Sequence, residues 1–140
     1  YAFAGCEAIT SIRIPASVKE IDGSSFAGCK ITSYEVDVDN SHYTAIDGVI
    51  YTKNLNELVA FPSNHPIKHF IVPSSTRIVG SWAFWSSNVE TVELPNGLIT
   101  IGYGAFGFSA INSINIPDSV KDIEENAFEY CSGLKQMPNR

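Results

Sequence analysis

AFGFSAINSINIPDSVKDI, residues 105 to 123, repeats most of the pattern of AFAGCEAITSIRIPASVKEI, residues 2 to 21. Each stretch carries a Phe, a spaced trio of aliphatics, a proline and two further aliphatics. Aligned on the aromatic, the chain gives AFAGC at Phe3, SFAGC at Phe26, AFWSS at Phe84, AFGFS at Phe106 and AFEYC at Phe128. The last three Phe residues are 22 apart (106 − 84 and 128 − 106) and the first two are 23 apart (26 − 3). Aliphatic frameworks follow at Ile9-x-x-Ile12-x-Ile14-Pro15, Ile67-x-x-Phe70-x-Val72-Pro73, Val89-x-x-Val92-x-Leu94-Pro95 and Ile111-x-x-Ile114-x-Ile116-Pro117. Further pairs are Val18 and Ile21, Thr76 and Val79, Leu98 and Ile101, Val120 and Ile123. A self-similar period of this length is that of a solenoid in which one repeat is one turn.

One turn alone has nothing to bury its apolar side chains against; stacked turns supply the missing wall. The x-Ile-x-Ile-Pro stretch alternates like a half-buried strand, and like strands of successive turns can pair in parallel at about 4.8 Å. Proline fits where the strand leaves the ladder. Parallel strands are therefore expected near Ile12 to Ile14, Tyr34 to Val36, Phe70 to Val72, Val92 to Leu94 and Ile114 to Ile116, in one sheet. Phe3, Phe26, Phe84, Phe106 and Phe128 should form one buried column. Replacing one ring, as in Phe106→Ala, should cost about 3 to 5 kcal/mol.

The second repeat breaks the rhythm. Ile31, Tyr34 and Val36 hold its framework, no proline follows, and the next framework starts at Ile67, 36 residues on (67 − 31). The added material contains IDGVIYTKNLNELVAFP, in which Val49 to Tyr51 and Glu57 to Phe61 read as strands joined around Asn54 to Asn56. A β-hairpin inserted near residues 43–62 is expected to jut from the edge of the stack, covering it with Val49, Tyr51, Leu58 or Phe61.

The chain has 140 residues, 44% hydrophobic and 17% charged, enough for one domain with one core. A formal charge of −6 lacks the basic footprint that nucleic acid or an anionic membrane requires. No run of about 18 apolar residues suggests a membrane span. The chain starts at Tyr1, inside a motif, and reads as an excerpt of something longer.

The pattern AF-x-x-C-x-x-I-x-x-I-x-I-P-x-S-V-x-x-I resembles the BspA-like, or Treponema-type, leucine-rich repeats, and DGVIY…ELVAFP resembles an insertion met in that family. The resemblance covers nearly the whole chain. It implies an α/β-type, right-handed leucine-rich-repeat solenoid with a parallel β-sheet on one face, little helix and an inserted β-hairpin, spanning residues 1–140 as about six repeats. It also implies a cell-surface or secreted protein, some relatives being adhesins for host matrix or cell-surface proteins. Ser25, Ser87 and Ser109 depart from the motif, as does the truncated LKQMPNR.

Cys6, Cys29 and Cys131 each stand three residues after a Phe, a slot that Ser87 and Ser109 fill elsewhere. Buried reduced thiols suit that slot; a Cys6–Cys29 disulfide is the alternative. No zinc-ligand spacing accompanies them. His65 and His69 have helical metal-site spacing, but Pro66 between them removes the helix. Asp37, Asp39 and Ser41 imitate the start of a calcium loop that then lacks its Gly and its final Glu, since His42 and Gly48 stand there. No nucleophile elbow, phosphate loop or HExxH motif occurs, so no catalytic residue, metal or cofactor is expected.

Two surfaces could bind a protein, and the family resemblance makes the sheet face the expected one. The outward positions of the strands place Arg13, Glu35, His69, Thr91, Glu93 and Asn115 on the sheet face, with Ser11, Ser33, Ile71 and Ser113 beside them. On the turns, Trp82, Trp85, Tyr103 and Phe108 occupy slots where other repeats carry Ser24, Ala27, Gly23 and Gly28, so the repeat itself does not demand aromatics there. The expectation is a non-catalytic interaction or adhesion module; a structural spacer presenting other domains is the alternative.

Overall fold

The structure, a computed structural model, describes residues 10–21, 30–131 and 133. Phe3, Phe26, Cys6 and Cys29 lie outside them.

The framework stretches form short parallel strands. β1 (Ser11–Ile14) pairs with β2 (Ser33–Val36), Ile12 opposite Tyr34 and Ile14 opposite Val36. β6 (His69–Ile71), β8 (Thr91–Glu93) and β10 (Ser113–Ile114) form a second sheet, with Phe70, Val92 and Ile114 in line. The expected single sheet is thus two sheets, because the insertion separates β2 from β6. The trailing aliphatic pairs build a third sheet, in which β7 (Ile78–Val79), β9 (Thr100–Ile101) and β11 (Asp122–Ile123) stack in parallel.

The insertion is a three-stranded meander: β3 (Tyr43–Ile46), β4 (Val49–Thr52) and β5 (Glu57–Ala60) are antiparallel neighbours. It does not jut. β5 joins the third sheet, Leu58 opposite Val79, in the place another turn's trailing strand would take. The two-residue turn between β3 and β4 uses Asp47 (φ 52°) and Gly48 (φ 82°), the pair of left-handed residues that a tight hairpin requires. This turn meets the first sheet: Tyr34 N–H donates to Gly48 O at 2.9 Å. Val49, Tyr51 and Leu58 are buried as expected, but so are Ile50, Val59 and Ala60 between them. The first set packs with the core of the later turns and the second with Ile14, Ile31 and Tyr34. Both faces of the hairpin are covered, so the insertion partitions the core.

No helix occurs among the described residues, so the α/β description is corrected to an all-β solenoid. The turn over residues 81–87 gives the physical reason. Trp82, Phe84 and Ser86 donate their N–H groups to Tyr103, Ala105 and Gly107 of the next turn, while Ala83, Trp85 and Ser87 donate three residues back. Half the donors are spent between turns, and left-handed residues at Trp82 and Ser86 stop any helix from propagating.

The aromatic column is present. Phe84, Phe106 and Phe128 stack with centroids 4.7 and 5.3 Å apart. Its preceding ring is Phe61, 4.7 Å from Phe84. Phe61 N–H donates to Ala83 O, as Phe84 does to Ala105 and Phe106 to Ala127. Ala60-Phe61 is therefore a further copy of the AF motif, and the long second repeat ends there. Ser87, Ser109 and Cys131 lie buried beside the column. Cys131 is a free thiol donating to Phe106 O at 2.8 Å, and burial pushes its pKa up despite the hydrogen bond to Ser109.

Candidate functional site

The sheet face pairs its own polar groups. Arg13 reaches Glu35 at 3.7 Å and Asp37 at 3.3 Å. The Asp39 N–H and Arg13 hold the Asp37 carboxyl below its usual range. On the second sheet, His69 Nε2 meets Glu93 Oε2 at 2.7 Å while its Nδ1 bonds Thr91 Oγ1. Asn115 clamps the main chain of Leu94, accepting from its N–H at 2.9 Å and donating to its carbonyl at 3.1 Å. The structure thus brings His69, Thr91, Glu93 and Asn115 to one sheet, whereas Arg13 and Glu35 sit on the other, beyond the Asp47–Gly48 turn. His65 bonds Asp47 O through Nε2 and stacks on Phe61, so it and His69 serve different partners.

Thr91, His69 and Glu93 line up as hydroxyl, imidazole and carboxylate. The nearby main-chain donors are committed elsewhere: Glu90 and Thr91 N–H both reach Lys68 O, and Leu94 N–H reaches Asn115. They do not converge on a point where an oxyanion could sit. This row is a cross-strand ladder of polar side chains.

The second cluster lies on the turns. Trp82 contacts Trp85 (4.6 Å, 70°) and Tyr103 (5.1 Å, 58°). Trp85 contacts Phe108 (4.8 Å, 68°), and Phe108 stacks on Tyr130 (4.8 Å, 27°). All four expected rings come together, and Tyr130 extends them. It was missed although it stands two residues after Phe128, as Phe108 does after Phe106. Asn126 donates to the Tyr103 hydroxyl at 2.9 Å. Two glycines seat the indoles. A Cβ on Gly107 would lie 2.2 Å from the Trp85 ring, and one on Gly104 would lie 3.1 Å from Trp82.

Three of these residues hold left-handed backbone: Trp82 (φ 64°), Phe108 (φ 54°) and Tyr130 (φ 54°). The slot of Trp82 carries Gly104 and Asn126 in the later turns, which accept that conformation more readily, and the slot of Phe108 and Tyr130 carries the small Ser86. Bulky residues there bear strain of about 1 to 2 kcal/mol each, and the rings remain in contact with water: Tyr130 is 69% exposed, Phe108 49% and Tyr103 37%. For Phe108 and Tyr130 hydrophobic burial therefore does not account for the strain, whereas Trp82 is half-buried.

Stacked turns joined by parallel strands, with one aromatic per turn in a central column, define a leucine-rich-repeat solenoid. The chain belongs to the BspA-type leucine-rich repeat family, whose model matches six copies over residues 1–60 and 56–138. Among solved structures it is similar to a leucine-rich repeat protein from Eubacterium ventriosum, with 29% identity and a TM-score of 0.80, covering 91% of this chain and 35% of that one. The pneumococcal vaccine antigen PcpA shares the fold at 24% identity and a TM-score of 0.75, over 91% of this chain and 38% of its own. A leucine-rich cell surface protein from Faecalibacterium prausnitzii shares it at 21% identity and 0.66, over 95% and 54%. The chain spans between about a third and about half of these proteins' lengths. No curated protein matches it.

Proposed function

We propose that this chain is a non-catalytic protein-interaction segment of a cell-surface or secreted leucine-rich-repeat protein, and that its role is adhesive. The observation carrying this reading is the exposed aromatic ladder on strained backbone, since strain without burial points to a selected surface. The surface location draws on the family and on structural relatives described as a vaccine antigen and a cell surface protein. Between the two expected surfaces, the ladder is the stronger anchor. The sheet-face groups already satisfy one another, so a partner would have to break the Arg13–Glu35 and His69–Glu93 pairs to use them.

That same self-pairing favours a second reading, in which the sheet face is only solvated and the repeats act as a spacer. Binding of the 140-residue chain to immobilised matrix proteins, measured by biolayer interferometry, separates the readings. Trp85→Ala should weaken binding at least tenfold, with Glu35→Lys and Glu93→Lys closer to the parent. Loss in the Lys variants alone would move the site to the sheet face. Binding by none of the proteins, with activity residing in flanking domains, would support the spacer.

A further inference from the structure

The aromatic ladder runs into a run of carboxylates. Gly104 N–H bonds Glu125 O at 3.1 Å and Phe108 N–H bonds Glu129 O at 2.7 Å, so Glu125 and Glu129 occupy the turn that carries Tyr130, next to the turn of Tyr103 and Phe108. Glu124 and Glu125 are exposed and Glu129 is half-buried. Among the described residues no cation pairs with any of the three. Between residues 81 and 131 Lys121 is the one cationic residue, against seven carboxylates. The rings of Trp85, Phe108 and Tyr130 thus form an electron-rich step beside negative charge, and among the described residues no cation pairs with those carboxylates.

We propose that this corner is a docking site for a cationic protein segment, whose Lys or Arg side chains seat against Trp85, Phe108 and Tyr130 while Glu125 and Glu129 neutralise them. The inference rests on the protein-interaction reading above and assigns its partner's chemistry. Cations are drawn to aromatic faces, guanidinium most of all, and carboxylates alongside strengthen that attraction. A glycan also stacks on aromatic faces, but although Phe108 and Tyr130 lie 27° apart, the 68° step from Trp85 to Phe108 breaks the flat platform a glycan would need, whereas the net negative charge beside the rings selects a cation.

The test uses the 140-residue chain and three fluorescein-labelled ten-residue peptides: alternating Arg-Ser, alternating Lys-Ser and all Gly-Ser. Binding is read by anisotropy at low and physiological salt. The Arg peptide should bind most tightly, the Lys peptide less and the Gly-Ser peptide not measurably. Phe108→Gly and Tyr130→Gly suit the left-handed slots, so the fold should survive; each should weaken the Arg peptide at least fivefold. Glu129→Gln should weaken it about threefold and flatten its salt dependence, whereas Asp39→Asn, which removes the same charge on a distant loop, should not. Equal losses in Asp39→Asn and Glu129→Gln, or indifference to both ring variants, would mean attraction to net charge alone and would overturn the proposal. So would a matrix partner that depends on Trp85 but ignores salt and Glu129→Gln; in that case the interaction reading stands and the cationic partner falls. Selective binding of a neutral oligosaccharide at these rings would overturn it as well.

Discussion

Phe61 and Phe106 show how one side chain can hold two turns. Each ring stacks on a neighbour and each N–H bonds the carbonyl of the following turn, so its position is fixed by ring packing and by backbone at once. Both are buried, at 3% and 0% exposure. Phe106→Ala should cost about 3 to 5 kcal/mol in urea unfolding. Phe61→Ala should cost a similar amount, although Phe61 comes from the insertion. A cost for Phe61→Ala below about 1 kcal/mol, a surface-like value, would remove it from the column. Glu57 carries a different prediction. Its carboxylate lies against Gly80 in a half-buried site, and burial raises its pKa above the usual carboxylate range. A raised folded-state pKa means the native state favours the protonated acid, and the associated stability is lost as pH rises through that range. Glu57→Gln should therefore gain in thermal midpoint relative to the parent between about pH 4 and pH 7. A constant difference across that range would place the carboxylate in water.

At the scale of elements, the insertion was legible as strands and misjudged in placement. The alternation that marks a half-buried strand is missing from Val49-Ile50-Tyr51 and Leu58-Val59-Ala60-Phe61, and a continuous apolar run marks a strand covered on both faces. That signal was present and points to a partition in the core, where a projecting hairpin would alternate. The turn around Asn54 to Asn56 joins β4 to β5 as the sequence indicates, and Asp47-Gly48 is a second hairpin signal, joining β3 to β4. The repeat frameworks themselves were legible because their period recurs, whereas the loss of pairing between β2 and β6 was not, since it depends on where the Asp47–Gly48 turn lands. The sheet-face residues were placed by alternation alone; their pairing with one another depends on rotamers, which alternation does not specify. Gly48 tests the wedge. A Cβ there would lie 2.9 Å from Ser33 Cβ, and its φ of 82° disfavours any other residue. Gly48→Ala should cost about 1 to 3 kcal/mol and loosen the Tyr34 amide, read by urea titration with hydrogen exchange. An unchanged Tyr34 amide would detach the turn from the first sheet.

For the molecule as a whole, connectivity between neighbours decides how a disturbance spreads. In a stack of turns each repeat touches only the next, so stability is a sum of intrinsic and nearest-neighbour contributions. Here the stack also has a seam. Among the described residues, Ile14, Ile31, Tyr34, Ile50, Val59 and Ala60 form one buried cluster, and the column Phe61–Phe84–Phe106–Phe128 runs through another. The two communicate through β4 and β5, which give side chains to both. A defect far along the column should therefore fade before it crosses. In native-state hydrogen exchange, Phe128→Ala should strongly reduce protection of the Phe106 amide, which bonds Ala127 O, and reduce Phe84 less. It should leave the Tyr34 amide, bonded to Gly48 across the seam, close to the parent. Ile31→Ala should show the reverse order. If both variants lower all three amides equally, unfolding is cooperative through the partition, β4 and β5 act as a rigid joint, and the seam has no energetic meaning.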